Sequence, residues 1–101
     1  MIELKYNSLY KKELRLILRR GKNYRKLVHV LELITENANK GINYNCLLPE
    51  KYRLHKLKGL YNGLWECHVE SDWLLIFDIN EYLITLERTG THSDLFNKIR
   101  R

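Results

Sequence analysis

Proline and cysteine are nearly missing from these 101 residues, which hold one proline, Pro49, and two cysteines, Cys46 and Cys67. Two thiols with no CxxC or Cys/His spacing build neither a disulfide framework nor a zinc site, so unpaired thiols in a reducing compartment are expected. No Pro/Gly/Ser linker, internal repeat or low-complexity tract divides the chain, and one domain over residues 1–101 is expected. No apolar run reaches the length of a bilayer span, and MIELKYNSLY lacks the apolar core and small-residue cleavage site of a secretion signal. The expected setting is the cytoplasm, with no membrane partner.

Acidic residues are scarce at the start. Residues 1–26 carry nine Lys/Arg against Glu3 and Glu13, a surplus of seven, while the remainder sums to −1 and the whole chain to +6. A stripe of one sign attracts polyanions by counterion release and steers them at long range, which favours nucleic acid over a merely solvated helix face. The stripe contains no Trp or Phe, which disfavours a basic amphipathic membrane helix.

The patterning predicts an α+β fold. Residues 2–6 alternate like a short strand, and Tyr10, Leu14, Ile17 and Leu18 then mark a helix that Asn7 or Ser8 can cap and Gly21 can end. Tyr24, Leu27, Val28, Leu31 and Ile34 predict a second helix from about residue 23 to 38. An irregular connection around Gly41 and Pro49 follows. The segments LWECHVE, WLLIFDI and YLITLER are β-branched or aromatic, have strand length and are separated by turn residues, so they read as an antiparallel meander. THSDLFNKIRR reads as a turn and short helix capped by Ser93 or Asp94. The sum is a strand and a two-helix hairpin packed on a curved antiparallel sheet.

Chemistry concentrates in the second half. Three of the four histidines, His55, His68 and His92, fall there beside Asp72, Trp73 and Arg88. Imidazoles pass protons at neutral pH and a guanidinium holds phosphate, so this composition suits RNA cleavage without a metal or other cofactor. Alternation puts Cys67 and Val69 on the core side of their strand with Trp65, and His68 on the other side with Glu66 and Glu70. Taken singly, these residues have ordinary structural readings: Trp73 as core, Arg88 as the ion-pair partner of Glu66 or Glu87, Phe96 as an anchor of the last turn. Lys51, Arg53, Lys56 and Lys58 form a second basic cluster, suited to gripping phosphates or to protecting a strand edge. His29 lies off the apolar stripe of its helix and reads as structural or simply exposed.

LHKLKG (54–59), GLWECHVESDWLLIF (63–77) and above all ERTGTHSDLF (87–96) carry a resemblance to YafQ-type toxins of the RelE/ParE superfamily. The resemblance is strong over about residues 48–96, and before that lies mainly in the order strand, helix, helix. It implies a RelE-like fold and a ribosome-dependent endoribonuclease that cuts messenger RNA in the ribosomal A site. It also implies a cognate DinJ/RelB-like antitoxin, and contact with operator DNA only through the antitoxin complex. By resemblance the catalytic positions are His55, His68, Asp72, Arg88 and His92, and Trp73 and Phe96 contact RNA. Leu54 stands where the family usually has Asp, and Trp65 where it usually has Arg. These departures are expected to act on phosphate contacts or codon preference.

RNA supplies its own nucleophile, the 2′-OH, so the protein needs a base, a cation and an acid. His92 is the expected acid and Arg88 the phosphorane-stabilising cation, while His68, His55 and Asp72 remain alternatives for the base. Trp73 and Phe96 offer faces for stacking bases. The alternatives are a ParE-like toxin that inhibits a topoisomerase by protein contact, and a silent relic that binds RNA or antitoxin.

Overall fold

The computed structural model describes residues 1–96, so the end of the expected C-terminal helix, 97–101, lies outside the described residues. β1 (Glu3–Tyr6) leads into α1 (Ser8–Arg19), whose first turn is capped by the Asn7 side chain accepting from Tyr10 N–H at 2.8 Å. Asn23 caps α2 (Tyr24–Asn39) in the same way, accepting from Arg25 N–H. Leu27, Val30, Leu31 and Ile34 are its buried stripe. The expected stripe is corrected at two positions, since Val30 takes the inward place given to Val28 and Tyr24 stays half exposed in the first turn.

Short 3-10 turns at Tyr44–Cys46, Glu50–Tyr52 and Gly59–Tyr61 surround the two-residue strand β2 (His55–Lys56). Three longer strands follow, β3 (Trp65–Glu70), β4 (Trp73–Ile79) and β5 (Leu83–Gly90), and then α3 (His92–Phe96). The strand order is β1-β5-β4-β3-β2. The meander is antiparallel as expected, but β1 pairs with β5 in parallel, so the sheet is mixed. Local alternation identifies a strand without stating its partner or direction, which is why the sequence reading missed this.

β4 is apolar on both faces. Trp73, Leu75 and Phe77 join Cys67, Val69 and both helices in the main core, while Leu74 and Ile76 pack with Leu95 in a second cluster on the opposite face. Trp73 is therefore fully buried on the helix side of the sheet, away from His68. Its indole Nε1–H donates to Thr89 Oγ1 at 2.9 Å, and the Thr89 hydroxyl donates in turn to the Leu74 carbonyl at 2.7 Å. The stacking role expected of Trp73 is thus corrected, because a ring with no exposed face cannot hold a base.

The C-terminal turn also differs from expectation. Thr91, not Ser93 or Asp94, caps α3: its Oγ1 accepts from Asp94 N–H at 3.1 Å and its own N–H donates to Asp94 Oδ2 at 3.0 Å. This reciprocal box needs Gly90, where an added Cβ would stand 2.9 Å from Asp94 Oδ2. Trp73→Phe is expected to lower unfolding free energy by about 1–3 kcal/mol through the lost hydrogen bond and volume, with no loss of RNA affinity. Denaturant melts and RNA titrations on the same protein check it, and weakened RNA binding with unchanged stability would restore a surface role to the indole.

Candidate active site

Strand register assembles the site. His55 pairs with Glu66, Glu66 with Ile76 and Ile76 with Arg88, so one row crosses β2, β3, β4 and β5. Arg88 reaches that row through an irregularity, because Leu86 to Arg88 on β5 oppose only Phe77 and Ile76 on β4. The extra residue separates Arg88 from the phase of Leu86, which is buried in the main core. A second irregularity, between His68 and Glu70, precedes the Ser71-Asp72 turn that brings Asp72 to His92.

His92 Nδ1 lies 2.6 Å from Asp72 Oδ1, and the His92 backbone N–H donates to the same oxygen at 2.9 Å. A carboxylate can only accept, so Nδ1 is the protonated nitrogen and Nε2 points away, available for proton transfer. These two hydrogen bonds hold the Asp72 carboxyl below the usual carboxylate range, first through the backbone N–H and then through the ring. The His68 ring stands edge-on to that of His92 with centroids 5.5 Å apart. Its Nδ1 faces the Ser71 carbonyl at 3.3 Å, and His55 Nδ1 faces the Arg53 carbonyl at 2.8 Å. Both therefore donate from Nδ1 and leave Nε2 toward Glu66 Oε1, at 3.9 Å from His68 and 3.4 Å from His55.

Glu66 is a residue that sequence reasoning missed as a site member. It is buried between the two imidazoles, and its Oε2 finds no hydrogen-bond partner among the described residues. A carboxylate facing two Nε2 atoms is attracted only when an imidazole or the carboxyl itself carries the additional proton. The signal was present, since Glu66 alternates with His68 on one strand face.

Arg88 is held by a residue with no such signal. Its Nε donates to both Glu13 oxygens at 3.0 Å and its Nη2 donates to Glu13 Oε2, while the Thr89 N–H donates to Oε1 at 3.2 Å. Neither expected partner is used, and Glu87 instead accepts from Asn7 Nδ2 at 3.0 Å. Glu13 raises the Arg88 pKa above its ordinary value. Arg88 Nη1 donates to the Tyr61 hydroxyl, and Tyr61 meets the ring of Phe96 edge-on at 5.7 Å. Phe96 remains 43% exposed, enough to offer a base a stacking face.

The structure thus brings together His55, His68, Asp72, Arg88, His92 and Phe96 and withdraws Trp73 into the core. The second basic cluster divides. Lys51 and Arg53 line a cleft beside His68, Lys56 sits over the Trp65 ring at 5.7 Å, and Lys58 is exposed before the Gly59–Tyr61 turn. Among the described residues no group of three or more His, Cys, Asp or Glu is placed to hold a metal ion.

Known proteins share this sequence and this fold. The family model for the bacterial toxin of type II toxin-antitoxin systems, YafQ, matches residues 2–97. The mRNA interferase toxin YafQ of Escherichia coli strain K12 is 36% identical over 94 residues, covering 93% of this chain and 95% of that protein. The crystal structure of YafQ from E. coli strain BL21(DE3) superposes with a TM-score of 0.82 at 31% identity, covering 95% of this chain and 99% of the other. YafQ in the E. coli DinJ-YafQ toxin-antitoxin complex gives a TM-score of 0.79 at 35% identity over 94% and 97% of the two chains. Agreement of sequence and architecture along nearly the whole length, with the histidines gathered at one end of the sheet, leaves one conclusion: the chain belongs to the YafQ family of bacterial type II toxin-antitoxin toxins.

Proposed function

We propose that this chain is a ribosome-dependent endoribonuclease that cuts messenger RNA in the ribosomal A site by attack of the 2′-OH on the adjoining phosphate. The observation that carries the reading is the pair of rings at His68 and His92, 5.5 Å apart. Nδ1 of one is on the Ser71 carbonyl and Nδ1 of the other on the Asp72 carboxylate, so that both Nε2 atoms are free for proton transfer. His68 spends its Nδ1–H on the Ser71 carbonyl, so the neutral ring presents the lone pair of Nε2. His92 spends its Nδ1–H on the Asp72 carboxylate, which leaves Nε2 free to carry the proton that the acid role requires. His68 takes the 2′-OH proton as the O2′–P bond forms, and His92 protonates O5′ as the P–O5′ bond breaks. The products are a 2′,3′-cyclic phosphate and a 5′-OH, and no step calls for a metal or other cofactor.

Arg88 stabilises the charge that builds on the phosphorane. Asp72 is occupied with orienting His92, which removes it from the alternatives for the base. The Ser71 carbonyl holds His68 from behind, while Glu66 Oε1, 3.9 Å from His68 Nε2 and 3.4 Å from His55 Nε2, attracts the imidazolium that forms when His68 takes the proton. Phe96 stacks a splayed base, and Lys51, Arg53, Lys56 and Lys58 lie where flanking phosphates can be gripped. The solved DinJ-YafQ complex supports a cognate DinJ-like antitoxin for this chain. In this reading the toxin acts in the cytoplasm and meets operator DNA only through the antitoxin. No helix among the described residues is long and apolar enough to cross a membrane.

The reading is tested by following cleavage of one message on programmed ribosomes and free in solution, the free arm with EDTA. Wild type is expected to cut on ribosomes, and His92→Ala to lose about 10²–10⁴ in rate. No cutting by either protein would favour a toxin acting by protein contact.

Two narrower outcomes follow from the geometry. Asp72 has a lowered pKa, so its charge and its hold on His92 persist through mildly acid pH and fail only as pH falls through that lowered value. The His92 backbone amide, followed by NMR, is expected to titrate with a midpoint below the 3.8 of an ordinary aspartate, and a midpoint at 3.8 or above would mean that the pair does not form in solution. Arg88→Lys keeps the charge and discards the fork that Glu13 and Tyr61 hold. Its kcat is expected to fall at least about tenfold with KM little changed, and unaltered kcat would remove Arg88 from the reaction.

A further inference from the structure

A cleft of about 690 Å³ lies beside His68, and neither His92 nor Asp72 lines it. One wall is the start of α2, with Arg25, Lys26 and His29, and the other is the turn before β2, with Lys51 and Arg53. Four cations thus face one carboxylate, Glu70. Glu70 is committed to Lys22 at 2.8 Å and Lys26 at 2.7 Å, which hold its pKa below the ordinary value. Arg25, Lys51 and Arg53 are exposed and have no ion-pair partner among the described residues.

Arg53 adds an independent sign. It is the one non-glycine residue with positive φ among the described residues, at φ +51° and ψ +44°. A long L side chain enters that region rarely, and such conformations persist where their surroundings impose them. Here the conformation closes the Glu50–Tyr52 turn while the Arg53 carbonyl accepts from His55 Nδ1 at 2.8 Å. The residue that anchors a site histidine therefore also forms the cleft wall.

We propose that this cleft is a phosphodiester subsite for the single-stranded message, taking a backbone phosphate next to the one being cut. Its volume suits one nucleotide, and unpaired cations on two opposed walls are what backbone tracking requires. Its contiguity with His68 continues the path of the strand past the reacting phosphate. His29, an exposed residue that the nuclease scheme leaves unused, gains a role as a ring on that path. What the neighbouring phosphate undergoes rests on the nuclease reading, whereas affinity for RNA does not.

The test uses a fluorescein-labelled, fully 2′-O-methylated RNA oligonucleotide, which cannot be cut, titrated by anisotropy between about 50 and 200 mM salt. Arg25→Gln/Lys51→Gln is expected to reduce the slope of log affinity on log salt by about 0.7, the value for one single-strand phosphate contact. Lys11→Gln, an exposed α1 change outside the cleft, should reduce it less. Co-sedimentation with ribosomes lacking message forms the second arm. A changed slope for the oligonucleotide supports the proposal. Equal slopes for the double variant and Lys11→Gln overturn it in favour of another occupant such as an acidic peptide. A defect confined to the ribosome arm overturns it by assigning the phosphate to ribosomal RNA. Wild type that binds the oligonucleotide through the cleft yet cuts no message on ribosomes would keep this site and sink the nuclease reading alone.

Discussion

The hydrogen bond from Trp73 to Thr89 pins the two strands that carry the site. β4 is apolar on both faces, so hydrophobicity alone does little to oppose a one-residue slip that exchanges them. The indole supplies what hydrophobicity lacks. A slip would carry its N–H from the Thr89 hydroxyl into the small cluster of Leu74, Ile76 and Leu95, where an unpaired donor costs about 1–3 kcal/mol. Asp72 precedes Trp73, and Arg88 and Gly90 flank Thr89, so one buried bond fixes the spacing of polar groups on the far side of the sheet. Trp73 serves the site from the core without touching it.

Around that pin, irregular positions convert a regular sheet into a site. The departures from register at His68–Glu70 and Leu86–Arg88 change which face a side chain takes, and the Ser71-Asp72 turn completes the approach to His92. Three carboxylates then each hold a site residue: Asp72 holds His92, Glu66 lies between His55 and His68, and Glu13 holds Arg88. Side chains locked in this way need less rearrangement when charge develops on a substrate.

The legibility of the sequence divides along the same line. Periodicity located both helices and the three long strands within a residue or two, and Asn7 was one of the two caps expected for the first helix, because those signals are local. It placed His68 opposite Cys67 and Val69 for the same reason. The parallel pairing of β1, the side taken by Trp73 and the partnership of Glu13 with Arg88 depend on contacts between distant segments, and no window of the sequence contains them. Trp73 shows the limit most clearly: an aromatic residue next to Asp72 in a histidine-rich region suits a stacking platform equally well until the phase of its strand is known. Glu66 was readable and was passed over, since a carboxylate between two imidazoles becomes visible only once β2 is recognised as a strand and paired with β3.

The hold of Glu13 on Arg88 bears on the ribosome dependence proposed above. Glu13 occupies the side-on edge of the guanidinium, and Tyr61 takes a further donor on Nη1. What remains for phosphate is a narrower edge on a group whose charge is already balanced. In the proposed reaction, ground-state attraction for a free message would be weakened accordingly, whereas the additional charge of a phosphorane would still draw on the fixed donors, which is the differential that accelerates a reaction. Binding energy must then come from outside the reacting centre. The basic surplus of residues 1–26 is partly consumed within the fold, since Arg20 pairs with Asp94 and Lys22 and Lys26 pair with Glu70. The uncompensated cations at the cleft are one source, and in the proposed function a ribosome holding the message would be the other.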